Sequence, residues 1–221
     1  MELTETDPET DPETARVRGL VTDSVTGYEP VGFADHCWIL HALRELDDAG
    51  REIRRTRWAE PLAGAGRTLG SWGLTPSTRV FDGIPLQGLA LPDSGAPDRD
   101  SLRALVEVLA RFSPDGPDTE CYWAQPPLEN LGEPVELRRG RLREALALWD
   151  GIGSPGFPSA FPVNWWPVDR SWFVYSDNDL SATEVFGSAE LVAEVLATAS
   201  LDAVRHPLVA EVMNSRAGWL D

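Results

Sequence analysis

Residues 164–196 read NWWPVDRSWFVYSDNDLSATEVFGSAELVAEVL, and three patterns within them decide the fold. Ser171 to Ser176 alternates, with Trp172, Val174 and Ser176 facing one way and Phe173 and Tyr175 the other, as a strand built from aromatic and β-branched residues requires. Ala182 to Phe186 has the same character and is expected to return antiparallel to it across Asp177–Ser181, a stretch of turn-forming residues. Ser188 then stands where an N-cap belongs, with Glu190 in the first turn and Leu191, Val192, Val195 and Leu196 on one face of the helix that follows. A hairpin followed by an amphipathic helix points to an α+β domain.

Working outward, Asp98 to Phe112 is the clearest helix of the chain. Leu102, Leu105, Val106, Leu109 and Phe112 form one apolar stripe, Asp98 or Asp100 caps the start, and Ser113-Pro114 ends it. Arg141 to Trp149 is a second helix, with Leu142, Leu146 and Trp149 in register and Gly151 as its stop. Cys121-Tyr122-Trp123 reads as a short strand cut off by Pro126-Pro127, and Val17 to Val21 as another. Pro207 opens a last short helix. Residues 31–48 fit either period: alternation groups Phe33, Cys37 and Ile39, and helical spacing groups Ile39, Leu43 and Leu46. A strand passing into a helix near Ala42 satisfies both. Pro61 to Arg99, rich in Gly and Pro, is expected to be irregular, with one strand near Thr78–Phe81. The expectation is a single α+β domain over residues 16–221, a small, mostly antiparallel sheet with three or four helices packed on it.

Composition narrows the function. There are 36 acidic side chains against 19 basic ones, a net charge of −17, and every basic residue is Arg. The first fifteen residues, MELTETDPETDPETA, hold six acids, no base and a tandem TDPE, so they read as a disordered acidic tail. Without them the balance is 30 acids to 19 bases, so the folded part is acidic too. Such a surface argues against nucleic acid and anionic membrane and favours a basic protein partner. The absence of Lys removes Schiff-base, P-loop and lysine-base chemistry. Cys37 and Cys121 are too few for a disulfide framework and read as buried thiols. No signal peptide and no long apolar run is present, so a cytoplasmic location is expected.

Two motifs stand out. Trp149-Asp150-Gly151-Ile152-Gly153 follows a W-[DE]-G-x-G pattern. Trp166-Pro167-Val168-Asp169-Arg170-Ser171-Trp172, with Asp177, Asp179 and Thr183 after it, follows W-P-x-D-R-[SA]-W…D-x-D-x-x-x-T. Together they resemble a group of uncharacterised actinobacterial proteins, and a Lys-free, Arg-rich composition is similar to that source. The resemblance covers about residues 148–197 and implies no activity.

Chemistry-bearing constellations are sparse. His36 and His41 are five apart, a poor chelating interval, and His206 precedes a proline, so no metal is expected. Asp177-Asn178-Asp179 lacks the glycine and the distal glutamate of a calcium loop and reads as a hairpin turn. No nucleophile elbow, dinucleotide fingerprint or P-loop occurs, and no cofactor is expected. Arg51 to Arg57, with four arginines, is the one basic island, either a solvated edge or an intramolecular clasp for acidic groups.

Two functional expectations follow. The first is a non-enzymatic acidic interaction protein that recognises a basic partner, as toxin-neutralising immunity proteins do. The alternative is a small-molecule or sugar binder or hydrolase with an indole-lined pocket around Asp169 and Arg170, drawing on Trp149, Asp150, Trp165, Trp166, Trp172, Asp177 and Asp179. A structural reading competes with the alternative, since large aromatic side chains mostly serve burial.

Overall fold

The computed structural model describes residues 4–6, 12, 30, 32–68, 76, 78–86, 88–92, 94–125, 136–152, 161–162, 164–176 and 180–205. Eleven strands occur there: β1 (Thr4–Thr6), β2 (Asp35–Leu40), β3 (Leu43–Leu46), β4 (Glu52–Thr56), β5 (Leu89–Ala90), β6 (Glu120–Gln125), β7 (Glu136–Arg141), β8 (Asn164–Pro167), β9 (Phe173–Ser176), β10 (Ala182–Gly187) and β11 (Ala203–Val204). The α-helices are α1 (Ala59–Gly64), α2 (Arg99–Arg111), α3 (Ala145–Gly151) and α4 (Ala189–Ala197). The main sheet has the order β1-β7-β6-β8-β9-β10-β2-β11 and a small one the order β4-β3-β5, every pairing antiparallel. The α+β expectation holds.

The main sheet is buried on both faces. Cys121, Trp123, Trp165, Val174, Val185, Cys37 and Ile39 project toward α2, α3 and α4, whose Leu102, Leu105, Leu109, Leu148, Leu191 and Val195 complete the larger core. Each such fully buried apolar side chain contributes about 1.5–3 kcal/mol. The opposite face carries Tyr122, Ala124, Leu137, Trp166, Phe173, Tyr175 and Phe186, with Phe33 packed on them. A third cluster joins Trp38 and Leu40 to Leu43 of the small sheet, and to Trp58, Leu62, Val80 and Phe81.

The local signals behave as their chemistry requires. Asp98 caps α2, accepting from the amides of Asp100 and Ser101, and Ser188 caps α4 through the Leu191 amide. The strand Phe173–Ser176 pairs with Ala182–Gly187 in the expected antiparallel sense.

Four differences stand out. Leu43–Leu46 is a strand, so the helical grouping of Ile39, Leu43 and Leu46 does not form; Leu43 and Glu45 face one way and Arg44 the other, against Thr56, Arg54 and Arg55. Within Pro61–Arg99, Thr78–Phe81 is a 3-10 turn rather than a strand, burying Val80 and Phe81 under Trp58, and the helix Ala59–Gly64 has its last residues there. The strands Glu136–Arg141 and Asn164–Pro167 are additional to the expected elements; β8 is buried on both faces and so does not alternate. Finally, Thr4–Thr6 of the acidic N-terminal segment pairs with Leu137–Arg139 at the sheet edge, where composition suggests disorder. An edge strand offers unpaired amides and carbonyls to any extended segment, whatever its composition. The expected strand at Val17–Val21 and the helix opened by Pro207 lie outside the described residues.

Candidate functional site

The tryptophan motif is a hairpin with its indoles on both faces of the sheet. Trp165 and Trp172 meet edge to face at 5.4 Å in the helix-side core, both 0% exposed. The Trp172 Nε1–H donates to Ser113 Oγ at 2.9 Å. Trp166 lies on the other face, 1% exposed, stacked between Tyr122 at 5.6 Å and Phe173 at 5.5 Å. Asp169 Oδ1 accepts from the Ser171 amide and hydroxyl, a local Asx-type turn. Arg170 adopts the left-handed conformation, φ 59°, and its amide donates to the Pro167 carbonyl. These residues connect β8 to β9. Asp177 and Asp179 lie outside the described residues.

Trp149 sits elsewhere, on a cleft of about 350 Å3 between the small sheet, the start of α2 and the end of α3, and Asp150 follows it in α3. Arg44, Arg55, Arg99, Trp149 and Ile152 contribute to its walls. Trp149 is fixed by its Nε1–H donating to the Pro97 carbonyl. Asp150 takes a two-point ion pair from Arg99, at 2.6 and 2.8 Å, which holds its carboxyl below the usual carboxylate range and raises the guanidinium pKa. His41, 2% exposed, also lines the cleft. Its Nε2 is 2.9 Å from Thr183 Oγ1, which is 2.8 Å from Ser176 Oγ, so imidazole and hydroxyls form one buried chain. The sequence weighed His41 only as a metal ligand; its pairing with Thr183 spans 142 residues and has no local signal.

A second polar feature lies across the sheet. Register places Ala124, Asn164, Tyr175, Glu184 and Trp38 in one row on successive strands. Glu184 is 0% exposed, with His36 Nε2 3.8 Å from its Oε1. Asn164 is 0% exposed, and neither its Oδ1 nor its Nδ2 has a hydrogen-bond partner among the described residues. The adjacent row, Arg139, Tyr122, Trp166, Phe173, Phe186 and His36, stacks Tyr122, Trp166 and Phe173 at one end and Phe186 with His36 at the other, with Phe33 tilted against both Phe173 and Phe186 and the Arg139 guanidinium 5.4 Å from the Tyr122 centroid.

The basic island is a clasp. Arg51 pairs with Asp47, Arg54 with Glu45 and Glu60, and Arg55 with Asp98 and Asp100. Burial pushes the Cys37 thiol up to about 12 and the Cys121 thiol upward as well, so both stay protonated and unreactive. Among the described residues no group of three or more His, Cys, Asp or Glu side chains is arranged to hold a metal ion, and no helix is long and apolar enough to cross a membrane. No family model, curated protein or solved structure matches the chain.

Proposed function

We propose that this chain is a non-catalytic interaction protein whose acidic surface recognises a basic protein partner. The observation that carries the reading is how the arginines are used. Ten of them, among the described residues, are ion-paired within the chain to Asp or Glu. Exposed pairs of this kind contribute little to stability. Their larger consequence is electrostatic: the cations are neutralised at home, and a surplus of 17 negative charges is left to project a field outward. That field accelerates encounter with a cationic surface and repels nucleic acid. Neutralisation of a basic toxin is the sharpest form of this reading.

The same geometry supports this reading over a ligand site at Asp169 and Arg170. Indoles packed at 0–1% exposure offer no ring face to a sugar, and Asp169 is occupied with its own turn. The test is affinity capture from the cell that makes the protein, repeated along a salt series. A retained protein of basic isoelectric point, lost progressively between about 0.05 and 0.5 M salt, is the expected result. A retained partner of neutral or acidic character, or retention indifferent to salt, overturns it.

A further inference from the structure

A groove of about 570 Å3 lies between the small sheet, α1 and the segment leading into β5. Its two sides differ in kind. On one, Glu45 of β3 and Glu60 of α1 share a single cation: Arg54 Nε is 3.3 Å from Glu45 and Arg54 Nη1 is 3.4 Å from Glu60, both long for charge-assisted hydrogen bonds. The two carboxylates are about half exposed, 44% and 54%. On the other side, Ile84, Pro85, Leu86 and Leu89 present an apolar wall that the rest of the described fold leaves half covered. Thr56 lines the groove at 2% exposure, and its Oγ1 has no hydrogen-bond partner among the described residues. Gly64 also lines the groove, and a Cβ there would meet nothing within 4 Å.

We infer that this groove docks an extended basic segment of the partner protein, one in which arginine or lysine alternates with aliphatic side chains. Each part of such a segment has a counterpart. A cation relieves the two carboxylates that now divide one guanidinium, and an aliphatic side chain covers the Ile84–Leu86 wall. An extended chain supplies both at strand spacing, where alternate side chains reach opposite sides. A purely aliphatic or acidic segment leaves the carboxylates unmet or repelled. This inference rests on the acidic-surface reading and adds a location and an occupant to it.

The probe is a fluorescein-labelled LRLRLR peptide titrated into the full chain, with LELELE as control. Three variants separate location from general charge. Gly64→Trp fills the groove at a position where added atoms meet open space. Glu45→Gln with Glu60→Gln removes the groove's charge. Glu107→Gln with Asp115→Asn removes the same charge from exposed positions on and just after α2. The expected result is that LRLRLR binds and LELELE does not. Gly64→Trp and the groove pair each weaken LRLRLR by about tenfold or more, and the distant pair changes it less than about twofold. Circular dichroism of each variant confirms the fold. Equal weakening by the two charge pairs, or no change in Gly64→Trp, overturns the groove while leaving a general acidic surface standing. Absence of peptide binding at low salt likewise overturns the groove; the broader reading is then decided by the partner's own charge and salt dependence.

Discussion

Asn164 poses the sharpest question at the scale of one residue. Both side-chain polar atoms lack a partner among the described residues in a fully buried setting, and its strand neighbours are Ala124 and Tyr175. An unsatisfied buried amide is a net cost, so Asn164→Leu, close in shape and apolar, is expected to leave stability unchanged or raise it by up to about 2 kcal/mol. Urea unfolding measures this; a loss above about 1 kcal/mol means that the amide is satisfied by a group outside the described set. The problem is not legible in the sequence, because only the register with Ala124 and Tyr175 places Asn164 in mid-sheet. Asp169 and Arg170 are the converse. Their spacing suggested a charged pair in a pocket, and the backbone instead uses one for an Asx turn and the other for a left-handed turn position.

At the scale of elements, stability is concentrated where caps and stripes coincide. Asp98 receives the Asp100 and Ser101 amides and the Ser101 hydroxyl, and pairs with Arg55 of β4. Asp98→Ala is expected to cost about 1–2 kcal/mol, roughly 2–8 °C in Tm for a chain of this size, and Asp98→Asn to restore most of it. If Asn restores nothing, the ion pair matters more than the cap, and thermal melts in 1 M salt will show the same loss in the wild type. The helix Arg99–Arg111, the capped Ala189–Ala197 and the hairpin Phe173–Ala182 were legible because each has a period and a stop signal within a dozen residues. The strand Asn164–Pro167 was not, because a strand buried on both faces loses its alternation, nor was Glu136–Arg141, whose one apolar residue, Leu137, sets no period. The same holds for Leu43–Leu46, whose partners at Thr56 and Ala90 come from elsewhere in the chain. Of the candidate site residues, the sequence groups Trp165, Trp166 and Trp172 around Asp169 and Arg170 but does not tell core from pocket, since both use the same side chains.

The whole molecule is governed by its charge, and pH acts on it in two directions. Asp35 is held below the usual carboxylate range by its hydrogen bonds to Arg205, Asp47 by the Arg51 amide and guanidinium, and Asp150 by Arg99. A carboxyl whose pKa is depressed in the folded state contributes stability above about pH 4, and that contribution is lost as the pH falls through its depressed value. Burial pushes Asp202 the other way, so its ionised form opposes folding at neutral pH and its protonation on acidification favours it. Self-repulsion among 17 surplus negative charges also weakens toward the isoelectric point near 4.5. The urea midpoint is therefore expected to rise modestly from pH 8 to about 5 and to fall below about 4, when the arginine-paired carboxylates protonate. A midpoint that falls steadily from pH 8 downward contradicts this balance.

The most direct measurement on the central claim is zero-length carbodiimide cross-linking of the captured partner to this chain, with the joined peptides mapped. The reading of an acidic recognition surface predicts bonds from partner lysines to carboxylates of this chain, Glu45 and Glu60 among them, that diminish together as salt is raised. A partner joined instead through its own carboxylates, or contacts confined to the Trp149 cleft and unchanged by salt, would contradict it.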